Sequence, residues 1–245
     1  MMTRRQWFIE VAAVVVAVLM CWRATALAQP FPGGLPRCQA NLNTCNANLG
    51  TCSTQLSACQ SAAQHFPATG QTTCWDSAGA VISCAGTGQD GEIQAGGTLS
   101  YTDNGDGTIT DNNTKLVWEK KSADGTIHDQ NTIYLWLDAF AVHVAGLNAT
   151  AFAGHTDWRV PNVKELQSIL HYEKFGGPSV SSAFNTGCVT GCTTCSCTAT
   201  SNYWSSSSIR GDAANAWFVD FSSGTVNKDG KNQANRVRAV RGGTP

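Results

Sequence analysis

The chain has 245 residues, of which 42% are hydrophobic and only 13% are charged. Its formal net charge of −1 at pH 7 excludes a general electrostatic affinity for nucleic acid or for anionic membranes. Glycine, serine, threonine and asparagine are common instead, and this composition favours turns and short strands over long helices.

The first 28 residues have the pattern of a signal peptide. Arg4 and Arg5 precede an apolar run at residues 11–20, which is short for a transmembrane helix. Ala26-Leu27-Ala28 supplies small residues for cleavage after position 28, and an uncleaved membrane anchor is the alternative. We therefore expect an exported protein, in the periplasm, at the cell surface or secreted, with no membrane span in the mature chain.

Residues 29–64 combine a Pro/Gly-rich linker with a heptad repeat. Leu42, Leu49 and Leu56 each stand three residues before a cysteine, which predicts an apolar coiled-coil seam. Cysteines seven residues apart on one helix are too distant to bridge each other, so the repeat predicts inter-chain disulfides in a parallel homo-oligomer, a dimer or a trimer. A flexible linker or an intramolecular helical hairpin is the alternative. The cysteines of this predicted stalk are Cys38, Cys45, Cys52 and Cys59.

Residues 65–245 have the pattern of one globular domain. Cys74 and Cys84 bracket a turn-forming stretch, and in an exported chain they are expected to form a disulfide. Residues 99–102 and 108–110 flank the turn Asn104-Gly105-Asp106-Gly107, which predicts a β-hairpin, and residues 115–118 predict a further strand.

Two helices are predicted in the middle of this domain. Apolar residues recur at helical spacing from Ile133 to Leu147, and Asn162 with Glu165 forms a capping-box pattern at the start of a second helix, which continues through Leu166 to Leu170. Short strands are expected at residues 158–161, 203–206, 216–221, 225–228 and 236–240. Two helices beside short antiparallel strands indicate an α+β domain.

Several motifs of this domain occur in the order seen in one known family. They are TCWDSAGAVISCAGTGQDGEIQAG, TDNGDGTITDNNTKLVWEK, GHTDWRVPNVKELQSIL, YWSSSS, AWFVDFSSGTVN and VRAVRGG. Over about three-quarters of its length the chain resembles the Lcl C-terminal domain family, which takes its name from a Legionella collagen-like adhesin. The resemblance implies a C-type-lectin-like fold related to formylglycine-generating enzymes. For the adhesin itself it implies trimeric display and binding of sulfated polysaccharides.

The chain departs from that adhesin in two features. It has no Gly-X-Y repeat, and the Cys-heptad stalk takes that place. It also has a cysteine-rich segment, GCVTGCTTCSC, between Phe184 and Tyr203. We expect two disulfides there, with a four-thiolate zinc site or a redox or copper site as alternatives. The four cysteines are Cys188, Cys192, Cys195 and Cys197.

No catalytic constellation accompanies these motifs. The five histidines lack metal-ligand spacing, and no nucleophile motif is present. Oxygen ligands for Ca²⁺ are available at Asp103, Asp106 and Asp111, although their spacing is not that of an EF-hand, and solvated turn residues are the alternative. We therefore expect no required cofactor and no enzymatic activity.

Short polar and basic residues near the C-terminus predict a ligand-binding surface. Their side chains suit hydrogen bonding to sugar hydroxyls and pairing with sulfates or carboxylates. The candidates are Ser206, Ser208, Arg210, Asn215, Asn227, Lys228, Lys231 and Asn235. The leading hypothesis is a non-enzymatic, adhesin-like protein that binds a glycan or a protein partner. A formylglycine-generating-type oxidoreductase and a purely structural envelope protein are the alternatives.

Overall fold

The computed structural model describes residues 66–243. The predicted signal peptide (1–28), and the predicted linker and stalk with Cys38, Cys45, Cys52 and Cys59, lie outside the described residues. The strands are β1 (Cys74–Trp75), β2 (Val81–Ile82), β3 (Tyr101–Asp103), β4 (Thr108–Asp111), β5 (Leu116–Glu119), β6 (Tyr134–Leu135), β7 (Asn202–Ile209), β8 (Asp212–Asp220), β9 (Thr225–Gly230), β10 (Ala234–Asn235) and β11 (Val240–Gly242). The helices are α1 (Asp90–Ile93), α2 (136–149) and α3 (Val163–Gln167), and 3-10 turns occur at Phe152–Gly154 and Ser182–Phe184.

The strands form two main antiparallel sheets and two small pairs. One sheet has four strands in the order β11-β5-β4-β3, and the other has three in the order β7-β8-β9. The small pairs are β1-β2 and β6-β10. Helices packed beside short antiparallel strands confirm the predicted α+β class. Within residues 66–243, no helix has the length and apolarity that a membrane crossing requires.

The predicted hairpin around the Asn-Gly-Asp-Gly turn is confirmed as β3 and β4. Thr102 pairs with Thr110 across the two strands. Gly107 ends the turn with a φ of 91°, and a Cβ there would press on the ring of Phe152. Glycine is therefore required at this position for both backbone and packing reasons.

Helix α2 begins three residues later than the sequence pattern predicts. Tyr134 and Leu135 instead pair with Asn235 and Ala234, so β6 takes up the residues before the helix. The helix contains a π-helical segment, Ala139–Val144, between α-helical turns at Trp136–Asp138 and Ala145–Ala149. His143 and Val144 in that segment are both buried.

Helix α3 begins as its capping box predicts and is shorter than expected. The Asn162 side chain accepts hydrogen bonds from the backbone of Lys164 and Glu165, and Glu165 accepts one from the backbone of Asn162. The helix ends at Gln167, yet Ile169 and Leu170 beyond it are buried as predicted. The apolar pattern therefore identified the buried positions although the helix stops earlier.

The β7-β8 hairpin lies between two apolar clusters. Tyr203, Val219 and Phe221 join one cluster with α3, and Trp204, Ala216 and Phe218 join the other with α2. Because adjacent strand residues point to opposite faces, this hairpin is buried on both faces over Tyr203–Trp204 and Phe218–Val219. Its remaining part, toward the turn at residues 210–211, is more exposed.

Two predicted strands are reduced in the structure. The strand expected at 158–161 is a single bridge between Arg159 and Val240. The strand expected at 236–240 is confirmed only where Val240 begins β11, since residues 237–239 pack as buried irregular chain. Residues 202–209 and 212–220 form longer strands than predicted.

Candidate functional site

The predicted ligand residues are divided between the two faces of the β7-β8-β9 sheet. Ser208 stands opposite Ala216, and Asn227 stands opposite Phe218, so these two side chains share one face. Lys228 stands opposite Trp217 and therefore points to the other face, which Asn215 shares. The predicted set is thus not one continuous site.

On the first face, Lys231 is held in place by an aromatic ring and a hydroxyl. Its Nζ lies 4.0 Å from the centroid of the Trp136 ring and 2.8 Å from the Ser208 hydroxyl. Its backbone N–H donates to the carbonyl of Ala214, which fixes the turn after β9 against β8. Among the described residues, no carboxylate lies within ion-pair distance of Lys231. We call Lys231, Ser208, Trp136 and the neighbouring Arg210 the Lys231 surface.

Trp136 orients the Lys231 ammonium group within this surface. Its indole N–H donates to the Ser205 carbonyl at 2.9 Å, and the Phe140 ring packs edge-on at a centroid distance of 4.8 Å. Lys231 covers the ring, and a cation over an indole is an attractive contact. The ring therefore supports Lys231, which covers one of its faces.

Arg210 and Ser206, both close to Ser208 in the chain, differ in their exposure to solvent. Arg210 is exposed at the turn between β7 and β8, two residues from Ser208. Ser206 is half-buried, and its backbone N–H donates to the Pro161 carbonyl. Lys231 thus contacts the exposed Ser208 hydroxyl directly, and Arg210 is an exposed cation two residues further along the chain.

On the opposite face, Lys228 is already paired. Its Nζ lies 2.9 Å from a carboxylate oxygen of Asp212. Hydrogen bonds from Lys228 and Asn215 lower the pKa of the Asp212 carboxyl. Asp212 on β8 therefore links Lys228 on β9 to Asn215 on β8, and the Lys228–Asp212 ion pair is exposed to solvent.

The two remaining predicted asparagines differ in exposure. Asn227 is exposed on β9. Asn235 is 7% exposed, and its amide donates to a carboxylate oxygen of Asp229 at 3.3 Å. Asn235 is therefore a buried structural residue that joins β10 to β9.

Exposed apolar side chains flank Trp136 along the chain. Leu135 is 45% exposed and Leu137 is 67% exposed, while Ile133 and Val142 are also exposed. The Lys231 surface therefore borders an apolar rim formed by β6 and α2.

Sequence analysis did not anticipate a buried ionic network beneath the sheets. The Glu119 carboxylate is fully buried and receives Lys121 Nζ at 3.1 Å, His128 Nδ1 at 2.9 Å and His143 Nε2 at 2.9 Å. It also accepts the backbone N–H of Ala239 at 2.9 Å. This one carboxylate joins β5, α2 and the segment before β11.

The charges in this network are set by burial and by each other. Burial opposes ionisation of Glu119, but attraction to His143 and Lys121 and hydrogen bonds from the two histidines hold its pKa well below the usual range. Burial lowers the pKa of His143, and burial also lowers that of Lys121 despite the nearby carboxylate. We infer an ionised Glu119 whose carboxylate accepts a hydrogen bond from the Nε2–H of a neutral His143.

Arg238 extends the network to the cysteine-rich segment. Its guanidinium is fully buried and donates to the Glu119 backbone carbonyl at 2.8 Å, to the Thr198 hydroxyl at 2.7 Å and to the Cys197 carbonyl. Burial lowers its pKa from the usual value for arginine. Arg238 thus fixes the end of the cysteine-rich segment to β5.

The cysteines of the domain form three disulfides. Cys74 pairs with Cys84 as predicted, and the cysteine-rich segment holds two bonds, Cys188–Cys197 and Cys192–Cys195. The structure therefore favours the expected disulfides over the alternative of a four-thiolate zinc site. Disulfides are compatible with an exported protein.

The aspartates proposed as weak Ca²⁺ ligands are used by their own loops. Asp106 accepts from the Thr108 backbone and hydroxyl, and Asp111 accepts from Thr114 and the Asn113 backbone. Asp103 pairs with Lys120 at 2.7 Å. Within residues 66–243, no cluster of three or more histidine, cysteine, aspartate or glutamate side chains has an arrangement that could hold a metal ion.

Two clefts lie away from the predicted ligand residues. A cleft of about 690 Å³ is lined by residues 66–69, by three residues at the start of β5 and just before it, and by Gly243. One side of α3 and the residues after it complete the lining, namely Asn162, Lys164, Glu165, Gln167, Ser168, Leu170 and Tyr172. A second, of about 460 Å³, lies between residues 123–131 and residues 188–191. None of the eight predicted ligand residues lines either cleft.

The comparison with known families agrees with this arrangement of motifs. The model of the Lcl C-terminal domain matches residues 107–241, more than half of the 245 residues. The chain belongs to the Lcl C-terminal domain family. The match begins inside the β3-β4 turn and ends within β11, so it contains the Lys231 surface, the Glu119 network and the cysteine-rich segment. No curated protein matches the chain, so no named relative points to a particular ligand.

Proposed function

We propose that this protein is an exported, adhesin-like and non-enzymatic binding protein whose ligand is a glycan, with the Lys231 surface as the contact site. The observation that carries the proposal is the exposed Ser208 hydroxyl bonded to a lysine that Trp136 holds over its ring. Membership of the Lcl C-terminal domain family supports the adhesin-like role.

The chemistry of the surface favours an anionic group on that glycan. Lys231 and Arg210 supply positive charge, and Ser208 supplies a hydroxyl for sugar hydrogen bonds. A charge-assisted hydrogen bond to a sulfate or carboxylate is stronger than a neutral one. Trp136 and Ser208 already fix the Lys231 side chain. Ligand binding therefore costs less side-chain entropy at Lys231 than it would at a lysine that is mobile before binding. A neutral glycan or a protein partner is the alternative ligand.

The wider architecture is part of the same proposal. We propose a C-type-lectin-like fold for residues 65–245, and a disulfide-linked homo-oligomeric stalk for the heptad segment before it. Antiparallel sheets with α2 and α3 packed on the β7-β8 hairpin support the fold. Several heads on one stalk would raise the avidity of weak sugar contacts.

Lys231→Gln and Lys228→Gln form a matched pair for testing the site. Both remove one lysine charge from the same region, but Lys228 lies on the opposite face and is paired with Asp212. We expect Lys231→Gln to weaken binding to a sulfated polysaccharide about tenfold, the effect of roughly 1.4 kcal/mol, and Lys228→Gln to leave it nearly unchanged. Binding should also weaken as salt increases.

Surface plasmon resonance on immobilised heparin, with a neutral glycan array alongside, measures these effects on the mature protein. Equal losses for the two variants would refute the assignment of the site. A metal-dependent oxidation assay on a cysteine-containing peptide tests the oxidoreductase alternative. Turnover in that assay without any glycan binding would overturn the proposed function.

A further inference from the structure

The two disulfides of the cysteine-rich segment are in direct contact. Sγ of Cys195 lies 3.4 Å from Sγ of Cys197, although each belongs to a different bond. The four sulfurs therefore form one chain of neighbours, from Cys192 through Cys195 and Cys197 to Cys188. A thiolate formed at Cys195 would stand beside the disulfide that it could attack.

Exposure differs along this chain of sulfurs. Cys195 is 7% exposed and Cys197 is fully buried. Cys192 is half-buried and Cys188 is exposed. An external thiol can therefore approach only the two end sulfurs, those of Cys192 and Cys188, and the two middle sulfurs are shielded from it. Access is one of the factors that decide which sulfur of a disulfide is attacked.

The local chemistry favours exchange at the Cys192–Cys195 bond. The two cysteines have the C-x-x-C spacing, which lowers thiol pKa values in other proteins. The backbone N–H of Cys195 donates to Sγ of Cys192 at 3.0 Å. The buried guanidinium of Arg238 donates to the Cys197 carbonyl and so places positive charge at the backbone of that cysteine. The N–H contact withdraws electron density from Sγ of Cys192, the sulfur under attack, and positive charge stabilises thiolates.

We propose that the cysteine-rich segment is a thiol–disulfide exchange site that takes a low-molecular-weight thiol as its substrate. The external thiolate bonds to Sγ of Cys192, and the Cys192–Cys195 bond breaks with its electron pair on Cys195. Cys195 then bonds to Sγ of Cys197, and the Cys188–Cys197 bond breaks with its electron pair on Cys188. Cys188 takes up a proton equal to the one that the external thiol lost.

This sequence needs no other oxidant or reductant. Two disulfides are present before it, and two are present after it: the mixed disulfide at Cys192 and the new Cys195–Cys197 bond. One thiol is consumed and one thiol is released, at Cys188. The exchange therefore moves a reactive thiol from solution to a defined position on the protein.

The position of the released thiol adds to the proposal. Cys188 lines the cleft of about 460 Å³ together with residues 189–191, 123–125 and 129–131. That volume lies within the range of roughly 300–1,000 Å³ for small-molecule pockets. Exchange would thus present a free thiol at a cleft that a second molecule can enter.

The test uses the full mature chain, purified under oxidising conditions and treated with reduced glutathione. Free thiols are then alkylated with iodoacetamide, and the segment is mapped by fragmentation mass spectrometry without reduction. We expect glutathione on Cys192, the alkyl group on Cys188 and a bond between Cys195 and Cys197. The Cys74–Cys84 bond serves as an internal reference and should stay intact.

A double variant, Cys188→Ser with Cys197→Ser, removes the second disulfide and so the acceptor. In this variant the alkyl group should shift from position 188 to Cys195. In the unmodified protein, alkylation of Cys195 with the Cys188–Cys197 bond intact would overturn the proposal. Direct reduction of Cys188–Cys197 with Cys192–Cys195 intact, or no change in the segment at all, would overturn it as well. The mapping of the unmodified chain decides the matter even where the double variant does not fold.

Discussion

Replacing Glu119 with glutamine tests whether the buried ionic network stabilises the domain. The carboxylate accepts from Lys121, His128, His143 and the backbone of Ala239, all within 3.1 Å. Glutamine has nearly the same shape, but it carries no charge and offers one acceptor oxygen in place of two. Lys121, which is 2% exposed, would then be a buried cation without its counter-ion.

The expected cost follows from that unpaired charge. Removing one partner of a buried ion pair costs about 3–5 kcal/mol, whereas removing both charges is often near neutral. We therefore expect Glu119→Gln to lower the free energy of unfolding by roughly 3–5 kcal/mol, a large part of the total of about 5–15 kcal/mol for a typical domain. Lys121→Met alone should also destabilise, because it removes the cation closest to Glu119.

Urea denaturation followed by tryptophan fluorescence measures both single variants and the double variant. The double variant should lose clearly less stability than the sum of the two single losses, since neither charge is then left alone. A loss below about 1 kcal/mol for Glu119→Gln, or strict additivity in the double variant, would refute the ionised network.

Three further predictions concern stability. Burial holds the pKa of His143 below the 6.5 of an unfolded histidine, so the unfolded chain takes up the proton first and the melting temperature should fall as the pH drops below 6.5. The melting temperature should fall further below about pH 4.5, because Glu119 is then protonated in the unfolded chain while its pKa in the folded protein is lower. A calorimetric melting temperature that stays constant from pH 7 to 4 would contradict the pKa shifts of both His143 and Glu119. Asn162→Ala should cost about 1 kcal/mol in urea denaturation through loss of the α3 cap, whereas Asn162→Asp should cost little. Gly107→Ala should cost about 1–3 kcal/mol, because the φ of 91° and the Phe152 ring both oppose a Cβ, and an unchanged melting curve would disprove that reasoning.

The parts of the fold that sequence predicts well are those fixed by local chemistry. The β3-β4 hairpin follows from its Asn-Gly-Asp-Gly turn, and the start of α3 follows from Asn162 and Glu165. The start of α2 could not be placed, because Tyr134 and Leu135 pair with β10, about a hundred residues away in the chain. The outer ends of β7 and β8 were missed for a similar reason. Aspartate, alanine and asparagine at the start of β8 have low strand propensity, and pairing with β7 and β9 makes this segment a regular strand.

The candidate site was predicted only in part. Composition pointed to Ser208, Arg210 and Lys231, but the faces depend on long-range strand pairing. The regular β8–β9 register sends Lys228 and Asn215 to the other face, and the register shifts between β7 and β8 set the position of Ser208. Trp136 was assigned to a core face by its helical spacing, and its contact with Lys231 could not be read from a separation of 95 residues.

The buried network gave no recognisable signal in the sequence. Glu119 ends β5 and Lys121 follows it, at a strand end where charged residues normally face solvent. Arg238 stands in the same motif as the less buried Arg236 and Arg241.

The proposed exchange site and the proposed binding surface are physically separable. Lys231 is held by Trp136, Ser208 and the Ala214 carbonyl, and these contacts involve no residue of the cysteine-rich segment. That segment is instead fixed by Arg238 and by pairing of Cys197 with Lys121, on the side of the Glu119 network. Treatment with glutathione should therefore rearrange the disulfides and leave heparin affinity within about twofold of its starting value, a free-energy change of roughly 0.4 kcal/mol. A parallel loss of affinity measured on the same sample would show that the segment reaches the ligand, and that the Lys231 surface is only one part of a larger site.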